Sequence, residues 1–160
     1  MIWSPDENYW TYGSGIFTTF ADKGTYDNTI TTGVSAAGNN LYNNEPDNIF
    51  TANGEAITSF LESADFDIQD GNELMFIDRI IPDLDINDGV IKFSIKTKNF
   101  PDQPDTDLVE KGPFSIAKNT SKVDLRARGR QGRVRVSCAS LNTKWQWGSI
   151  RMSMQPDGMR

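Results

Sequence analysis

The sequence predicts an all-β fold, an antiparallel sandwich-like or propeller-blade-like unit with short turns. Two observations carry this prediction. Short segments in which apolar and polar residues alternate recur along the 160 residues, as expected for strands with one buried face. Turn-forming residues, among them 13 glycines and 7 prolines, separate these segments, and no stretch shows the spacing of a long amphipathic helix. The length favours a single domain over residues 1–160, with about two blade-like sheets and a candidate loop boundary near 101–112.

The first part of the chain is predicted to be one interrupted strand followed by loop. Residues 9–21 are aromatic and β-branched, with an interruption at Gly13-Ser14-Gly15. Residues 22–48 are mostly turn and loop in character, with a short apolar contact at Leu41-Tyr42. Residues 56–68 alternate weakly and predict a strand, which ends in a turn at 69–72.

The central part carries the strongest strand pattern. Residues 73–86 predict an apolar strand in which Pro82 limits pairing near the end. Asn87-Asp88-Gly89 predicts a hairpin turn into the next strand, 90–100. Three apolar residues of that strand share a face: Ile91, Phe93 and Ile95. A polar loop at 101–112 and a strand from Phe114 follow, and the last strand, 144–154, turns Trp145 and Trp147 inward.

Five arginines lie within residues 126–135 of a chain whose net charge is -6. Apolar residues alternate with them on both sides of the segment 129–132 (GRQG), which predicts two strands joined by a turn or one strand bulged at Gly129. In either case we expect the arginines to lie together on one exposed face and to meet an anionic partner, because like charges side by side on a sheet are destabilising. The interface candidates are Arg126, Arg128, Arg130, Arg133, Arg135 and, from the last strand, Arg151.

Charge is divided unevenly along the chain. Residues 1–110 contain 20 acidic and 5 basic residues, a net charge of -15, whereas residues 111–160 contain 11 basic and 2 acidic residues, a net charge of +9. The two parts could complement each other within the fold or between copies. A basic region of this kind is also compatible with nucleic-acid binding.

No catalytic residue, cofactor or metal is expected, and the chain is predicted not to be an enzyme. The sequence contains no histidine, which excludes Ser-His-Asp and Cys-His arrangements and imidazole metal sites. Cys138 is the only cysteine and is expected to be a small buried apolar residue. The spacing of the acidic residues Glu55, Glu62, Asp65 and Asp67 selects no catalytic pair.

Two further patterns have competing interpretations. Asp83, Asp85, Asn87 and Asp88 resemble part of a calcium loop, but the glycine and the closing glutamate of such a loop are missing, so a solvated turn is favoured. Trp145 and Trp147 suit either a core or a carbohydrate-binding platform, and the core is favoured. The opening residues lack the features of a signal peptide, and no apolar run approaches the ~20 residues of a membrane helix, so no membrane contact is expected.

Two C-terminal segments resemble a phage protein family. Residues 122–131 (KVDLRARGRQ) with the arginine-rich strand after them, and residues 148–160 (GSIRMSMQPDGMR), resemble the C-terminal signature of the tail tubular protein B, tail nozzle and packaged-DNA stabilisation proteins of short-tailed phages. Weaker similarities follow in the same order upstream, at residues 10–13, 19–24, 41–45, 54–62 and 70–83. The resemblance therefore covers nearly the whole chain, and its two C-terminal segments are specific only when taken together.

The resemblance implies a non-enzymatic virion structural protein of a phage tail, part of or adjacent to the nozzle ring that continues the portal channel and retains packaged DNA. It further implies a homo-oligomeric ring with six-fold symmetry that binds other tail proteins: the adaptor, the portal-side ring or further nozzle chains, with packaged DNA in the channel. Family members are generally much longer and contain a β-propeller, whereas this chain resembles only their C-terminal portion. We therefore expect its open sheet edges to be completed by another protein.

Two alternatives belong to other functional classes. A β-sandwich carbohydrate-binding module for host adsorption would use Trp145 and Trp147 as its sugar platform. A nucleic-acid-binding domain would use the arginines to bind the phosphate backbone, and its affinity would fall steeply with salt.

Overall fold

The computed structural model describes residues 2–5, 9–11, 19–22, 24, 27–35, 38–44, 49–52 and 54–159. The described chain consists of antiparallel strands and two short 3-10 turns, Gln69–Gly71 and Asp105–Asp107, which confirms the all-β fold class. It divides into two compact units, Met1–Ile49 and Phe50–Arg160. The boundary between units thus falls after Ile49, and the segment 101–112 lies inside the second unit.

The described part of the first unit contains five strands: β1 (Ile2–Ser4), β2 (Tyr9–Thr11), β3 (Thr19–Ala21), β4 (Ile30–Ser35) and β5 (Gly38–Asn43). β1 pairs with β2, and β4 lies between β3 and β5 in a three-stranded sheet. The predicted loop over residues 22–48 is therefore wrong where β4 and β5 form. Their pairing rests on backbone bonds and polar side chains, such as the Asn44 amide that donates to Thr31 Oγ1 at 3.0 Å, so apolar alternation does not reveal them. The predicted interruption at residues 13–15 lies outside the described residues.

The second unit contains twelve strands: β6 (Thr51–Ala52), β7 (Glu55–Ala56), β8 (Ser59–Glu62), β9 (Phe66–Asp67), β10 (Met75–Ile81), β11 (Leu84–Ile86), β12 (Ile91–Lys98), β13 (Val109–Ile116), β14 (Val123–Gly129), β15 (Gln131–Cys138), β16 (Trp145–Trp147) and β17 (Arg151–Pro156). The strand predicted over 56–68 is broken into short pieces, and β13 begins inside the predicted loop 101–112. The single strand predicted over 73–86 is divided into β10 and β11 at Pro82, the residue predicted to limit pairing.

Two sheets organise the second unit. The larger sheet has the order β13-β12-β15-β8, with β9 also paired to β15, and the smaller sheet has the order β14-β10-β17. β6 with β7 and β11 with β16 form two-stranded ribbons. The hairpin predicted at Asn87-Asp88-Gly89 is wrong, because β11 pairs with β16 whereas β12 pairs with β13 and β15. The turn itself forms, with Gly89 at φ 92°, but it connects strands of different sheets.

One core lies between the two sheets, which gives the second unit a sandwich-like architecture. The smaller sheet contributes Met75, Ile77, Ile80, Leu125 and Ala127. The larger sheet contributes Ile91, Phe93, Ile95, Ile116, Val134, Val136 and Cys138. The predicted apolar face of β12 and the alternation within the arginine segment are both confirmed. Cys138 is buried, as expected for a small apolar residue.

Candidate interaction surface

The arginine segment crosses from one sheet of the sandwich to the other. β14 pairs with β10 in the smaller sheet, whereas β15 pairs with β12, β8 and β9 in the larger sheet. Because the two sheets face each other across the core, outward side chains of β14 and β15 lie on opposite faces of the sandwich. The prediction that the five arginines share one face is therefore wrong. A hairpin or a bulge would have kept both strands in one sheet, but the chain turns a corner at Arg130.

Two glycines allow this corner because neighbouring atoms leave no space for a side chain. A Cβ on Gly129 would lie 2.8 Å from the Thr97 Cβ and 3.0 Å from the Lys98 carbonyl oxygen. A Cβ on Gly132 would lie 2.7 Å from the Met75 Cε and 2.9 Å from the Phe66 Cζ. A side chain at Gly129 would meet backbone that is held by strand pairing, whereas one at Gly132 would have to displace the Met75 and Phe66 side chains.

Arg130 holds the corner in place from within the chain. Its backbone N–H donates to the carbonyl of Lys98 at 2.9 Å. Its guanidinium donates to three backbone carbonyl groups: Gly71 at 3.2 Å, Met159 at 2.9 Å and Asn72. Arg130, an interface candidate from sequence, thus ties the 3-10 turn and the C-terminal segment to the corner.

On the outer face of the larger sheet, seven charged side chains form a network of ion pairs, which we call the ionic cluster: Glu62, Asp65, Lys96, Lys98, Asp105, Arg133 and Arg135. Arg133 is its centre, with Nε 2.9 Å from Asp65 Oδ1 and one terminal nitrogen 3.3 Å from both Glu62 and Asp105. Arg135 lies 2.7 Å from the other oxygen of Glu62, and its guanidinium stacks over the Phe60 ring at 4.2 Å. The two arginines of β15 therefore already have carboxylate partners in their own chain.

The lysines of β12 complete the ionic cluster. Lys98 Nζ lies 2.6 Å from the second oxygen of Asp65, and Lys96 Nζ lies 3.5 Å from Glu62. Strand register explains the arrangement, because Lys96 is opposite Arg133 and Glu62 is opposite Arg135. The carboxylates thus separate cations that would otherwise repel one another across neighbouring strands.

These contacts displace the pKa values of the groups involved. Burial raises the pKa of Glu62, but hydrogen bonds from Arg135 and Arg133 and the charge of Lys96 outweigh it, so the pKa lies below its usual value. The hydrogen bond from Arg133 is the main cause that holds the pKa of Asp65 below its usual value, and Lys98 adds to it. The same bond to Asp65 raises the pKa of Arg133. Both carboxylates are therefore held in the ionised form.

The outer face of the smaller sheet carries four arginines, which we call the arginine face: Arg79, Arg126, Arg128 and Arg151. Arg79 lies 2.7 Å from Asp124, which Lys122 also approaches at 3.0 Å, and Arg128 bonds to Asp157. Arg126 and Arg151 are exposed, and neither has a hydrogen-bond or ion-pair partner among the residues that the structure describes. The two interface candidates without a partner in the described chain, one from the arginine segment and one from β17, therefore both lie on this face.

The two C-terminal tryptophans take part in core packing, which confirms their predicted inward orientation. The Trp147 ring stacks on the Phe93 ring with centroids 6.2 Å apart, and Trp145 Nε1 donates to Ser59 Oγ at 2.9 Å. Both side chains are half-buried against the core. The ring face of Trp147 is thus engaged within the fold, and Trp145 is held by its indole N–H, unlike the free indoles of an exposed sugar platform.

Side chains of the acidic segment 83–88 accept hydrogen bonds from backbone N–H groups of their own turn and of residues 144–149. Asp83 Oδ2 accepts a bond from the Ser149 N–H at 3.3 Å, and Asp88 Oδ1 accepts one from the Gly89 N–H at 2.7 Å. Asn87 Oδ1 accepts a bond from the Lys144 N–H at 2.8 Å. In the described ranges, no group of three or more His, Cys, Asp or Glu side chains is placed to hold a metal ion.

The sequence pattern does not identify the carboxylates that form ion pairs with Arg133 and Arg135. From the sequence, Glu62 and Asp65 are only two of four acidic residues whose spacing selects no catalytic pair, whereas the structure places them against Arg133 and Arg135. The uneven charge of the two parts of the chain was the available indication, since it suggested complementarity within the fold. It could not specify which carboxylate meets which arginine.

No helix within the described part of the chain is long and apolar enough to cross a membrane. Comparison with protein-family models, with curated proteins and with solved structures finds no match.

Proposed function

We propose that the chain is a non-enzymatic structural protein of a short-tailed phage tail, part of or adjacent to the nozzle ring. The observation that carries the proposal is the arginine face. Four of the six interface candidates bind groups of their own chain, whereas Arg126 and Arg151 remain exposed without a partner among the described residues. Arginine is suited to fork contacts with carboxylates, so these two residues are available to a neighbouring protein.

Segments 122–131 and 148–160 resemble the phage nozzle family, and this resemblance favours assembly into a ring. Arg126 and Arg151 lie in these two segments, so the free cations coincide with the most family-like parts of the sequence. In a ring, each subunit presents one surface to a different surface of the next, and such heterologous contacts close when the rotation between subunits allows it. The acidic excess of residues 1–110 gives another copy carboxylates to offer. The proposed role is therefore geometric: the subunit repeats around the tail axis, six-fold by resemblance, next to the adaptor or portal-side ring.

Removal of the two free charges tests this proposal. In a phage whose only copy of the gene carries Arg126→Glu and Arg151→Glu, we expect a folded protein that is missing from purified particles. A desolvated ion pair is costly to break because the remaining charge stays buried without a partner. Immunogold labelling with an antibody to the chain should mark the tails of particles made with the unaltered gene.

A matched control carries the same change of charge elsewhere. Lys111→Glu with Lys118→Glu alters two exposed lysines outside the arginine face and should leave assembly intact. Gold labels away from the tail, or particles that lack the unaltered chain, would overturn the proposal. Particles that incorporate the double arginine variant but leak DNA would show that the arginines meet phosphate instead of a neighbouring carboxylate.

A further inference from the structure

One side of the sandwich is open in the second unit. On one side of the sandwich, β14 of the smaller sheet contacts β12 and β13 of the larger sheet. The strand orders β14-β10-β17 and β13-β12-β15-β8 therefore place β17 and β8 at the opposite side. Core-facing side chains are exposed there. Met154 lies opposite the buried Ile77 but is 37% exposed, and Leu61 lies opposite the buried Val136 but is 47% exposed. The core is thus incompletely covered at this side.

β17 is the edge strand of the smaller sheet, so its backbone has no strand partner on the side away from β10 within the described residues. Within the described residues, β17 pairs only with β10. Directly after β17, the Asp157 N–H donates to the carbonyl of Leu74 at 2.7 Å. The backbone N–H of Asp157 therefore points towards the β10 side, because Leu74 directly precedes β10. Along an antiparallel strand the direction of these groups alternates from residue to residue. The N–H and C=O groups of Met154 and Met152 therefore point away from β10, towards the open side.

We propose that β17 is a docking edge at which an extended segment of a partner protein, alternating apolar and acidic residues, adds a fourth strand to the smaller sheet. Main-chain bonds to Met152 and Met154 would hold the added strand, as in other cases of strand addition. On the inner face, the side chains of these methionines require apolar neighbours. On the outer face, the exposed Arg151 has no partner in the described chain and favours an acidic residue opposite it.

The sequence of β17 does not protect this edge. Natural edge strands avoid association through inward-pointing charges, bulges, lysines or central prolines. In β17 the inward residues are methionines, and Pro156 stands only at the end of the strand. A second copy of β17 is a poorer occupant, because antiparallel pairing centred on Ser153 would place Gln155 opposite Arg151 and leave the guanidinium without an anion. The partner strand is defined by its alternation of apolar and acidic residues, whether or not it belongs to a tail protein.

Two substitutions at one position separate main-chain pairing from side-chain contact. Met154→Pro and Met154→Ala both remove the thioether side chain, but only proline also removes the outward N–H group. Proline is tolerated on an edge strand where its nitrogen faces solvent, so both variants should fold, which circular dichroism and urea unfolding would verify. The probe is a short fluorescent peptide that alternates valine and glutamate, and the readout is its fluorescence anisotropy with the intact chain.

We expect the peptide to bind the unaltered chain and Met154→Ala, and to bind Met154→Pro about tenfold more weakly, equivalent to about 1.4 kcal/mol. Arg151→Glu provides a second readout that keeps the backbone unchanged. This substitution should weaken the binding of the valine–glutamate peptide and strengthen the binding of a valine–lysine peptide. Failure of the unaltered chain to bind the acidic peptide, equal binding of both peptides, or equal binding by the proline and alanine variants would overturn the proposal. Self-association in sedimentation that Met154→Pro abolishes would overturn it too, because the occupant would then be a second copy.

Discussion

Arg133 and Arg126 show how the surroundings of a residue decide its role. Both are outward-facing arginines of the same segment. The Arg133 side chain is 20% exposed and bonds to Asp65, Glu62 and Asp105. Arg126 is exposed and has no partner among the described residues. The first therefore contributes to the stability of the fold, whereas the second is available for association.

This difference predicts opposite effects of one substitution. Arg133→Met should lower the free energy of unfolding by about 1–2 kcal/mol, because charged hydrogen bonds are lost and the carboxylate of Asp65 is left without its main partner. Arg126→Met is the matched control and should leave the free energy of unfolding nearly unchanged. Urea unfolding followed by circular dichroism measures both. Equal destabilisation by the two substitutions would contradict the assignment of Arg133 to a structural role.

The ionic cluster also predicts a pH dependence of stability. The pKa values of Glu62 and Asp65 lie below their usual values of 4.5 and 3.8 in the folded chain, so the unfolded chain binds protons first as the pH falls. Their contribution to stability is present above the unfolded pKa values and is lost as the pH falls through the folded ones. The free energy of unfolding should therefore decrease below about pH 5. Arg133→Met should make this decrease shallower, and an unchanged slope would contradict the role of the cluster.

At the scale of elements, the corner at residues 129–132 determines which sheet each arginine strand joins. The alternation of β14 and β15 is the same whether the strands share a sheet or not, so the sequence pattern predicts the strands but not their partners. The partners depend on contacts made by residues distant in the chain. Gly129 packs against Thr97, and Gly132 packs against Met75 and Phe66.

A methyl group added at the corner tests this explanation. Gly129→Ala should destabilise the second unit by about 1–3 kcal/mol, because the new Cβ meets backbone as well as side-chain atoms and the strand cannot move without breaking its pairing. Gly24→Ala is the control, since a Cβ at that position meets no atom of the described residues within 4 Å. The midpoint of urea unfolding distinguishes them. A stable, unshifted Gly129→Ala variant would show that the corner does not depend on this close approach.

Across the chain, the alternation of apolar and polar residues predicts strand positions and buried faces but not the arrangement of strands into sheets. It located β10, β12, β14 and β15, and it identified the buried faces of β12, β14 and β15 because their apolar residues recur at every second position. It missed β4 and β5, whose pairing uses polar side chains, and it could not assign strands to sheets. For the candidate site it identified the arginines, but the carboxylates that neutralise Arg133 and Arg135 come from β8 and the segment after it, far away in sequence.

The location of the core leads to a prediction about autonomy. Among the described residues, the buried apolar cluster, from Met75 to Cys138, belongs entirely to the second unit. A compact unit with its own core should fold without the rest of the chain. We therefore expect residues 50–160, expressed alone, to unfold in one cooperative transition. Its fluorescence comes only from Trp145 and Trp147, which report the bond to Ser59 and the stacking on Phe93. An unfolded circular dichroism spectrum, or tryptophan emission equal to that in urea, would show that residues 1–49 are needed to complete the core.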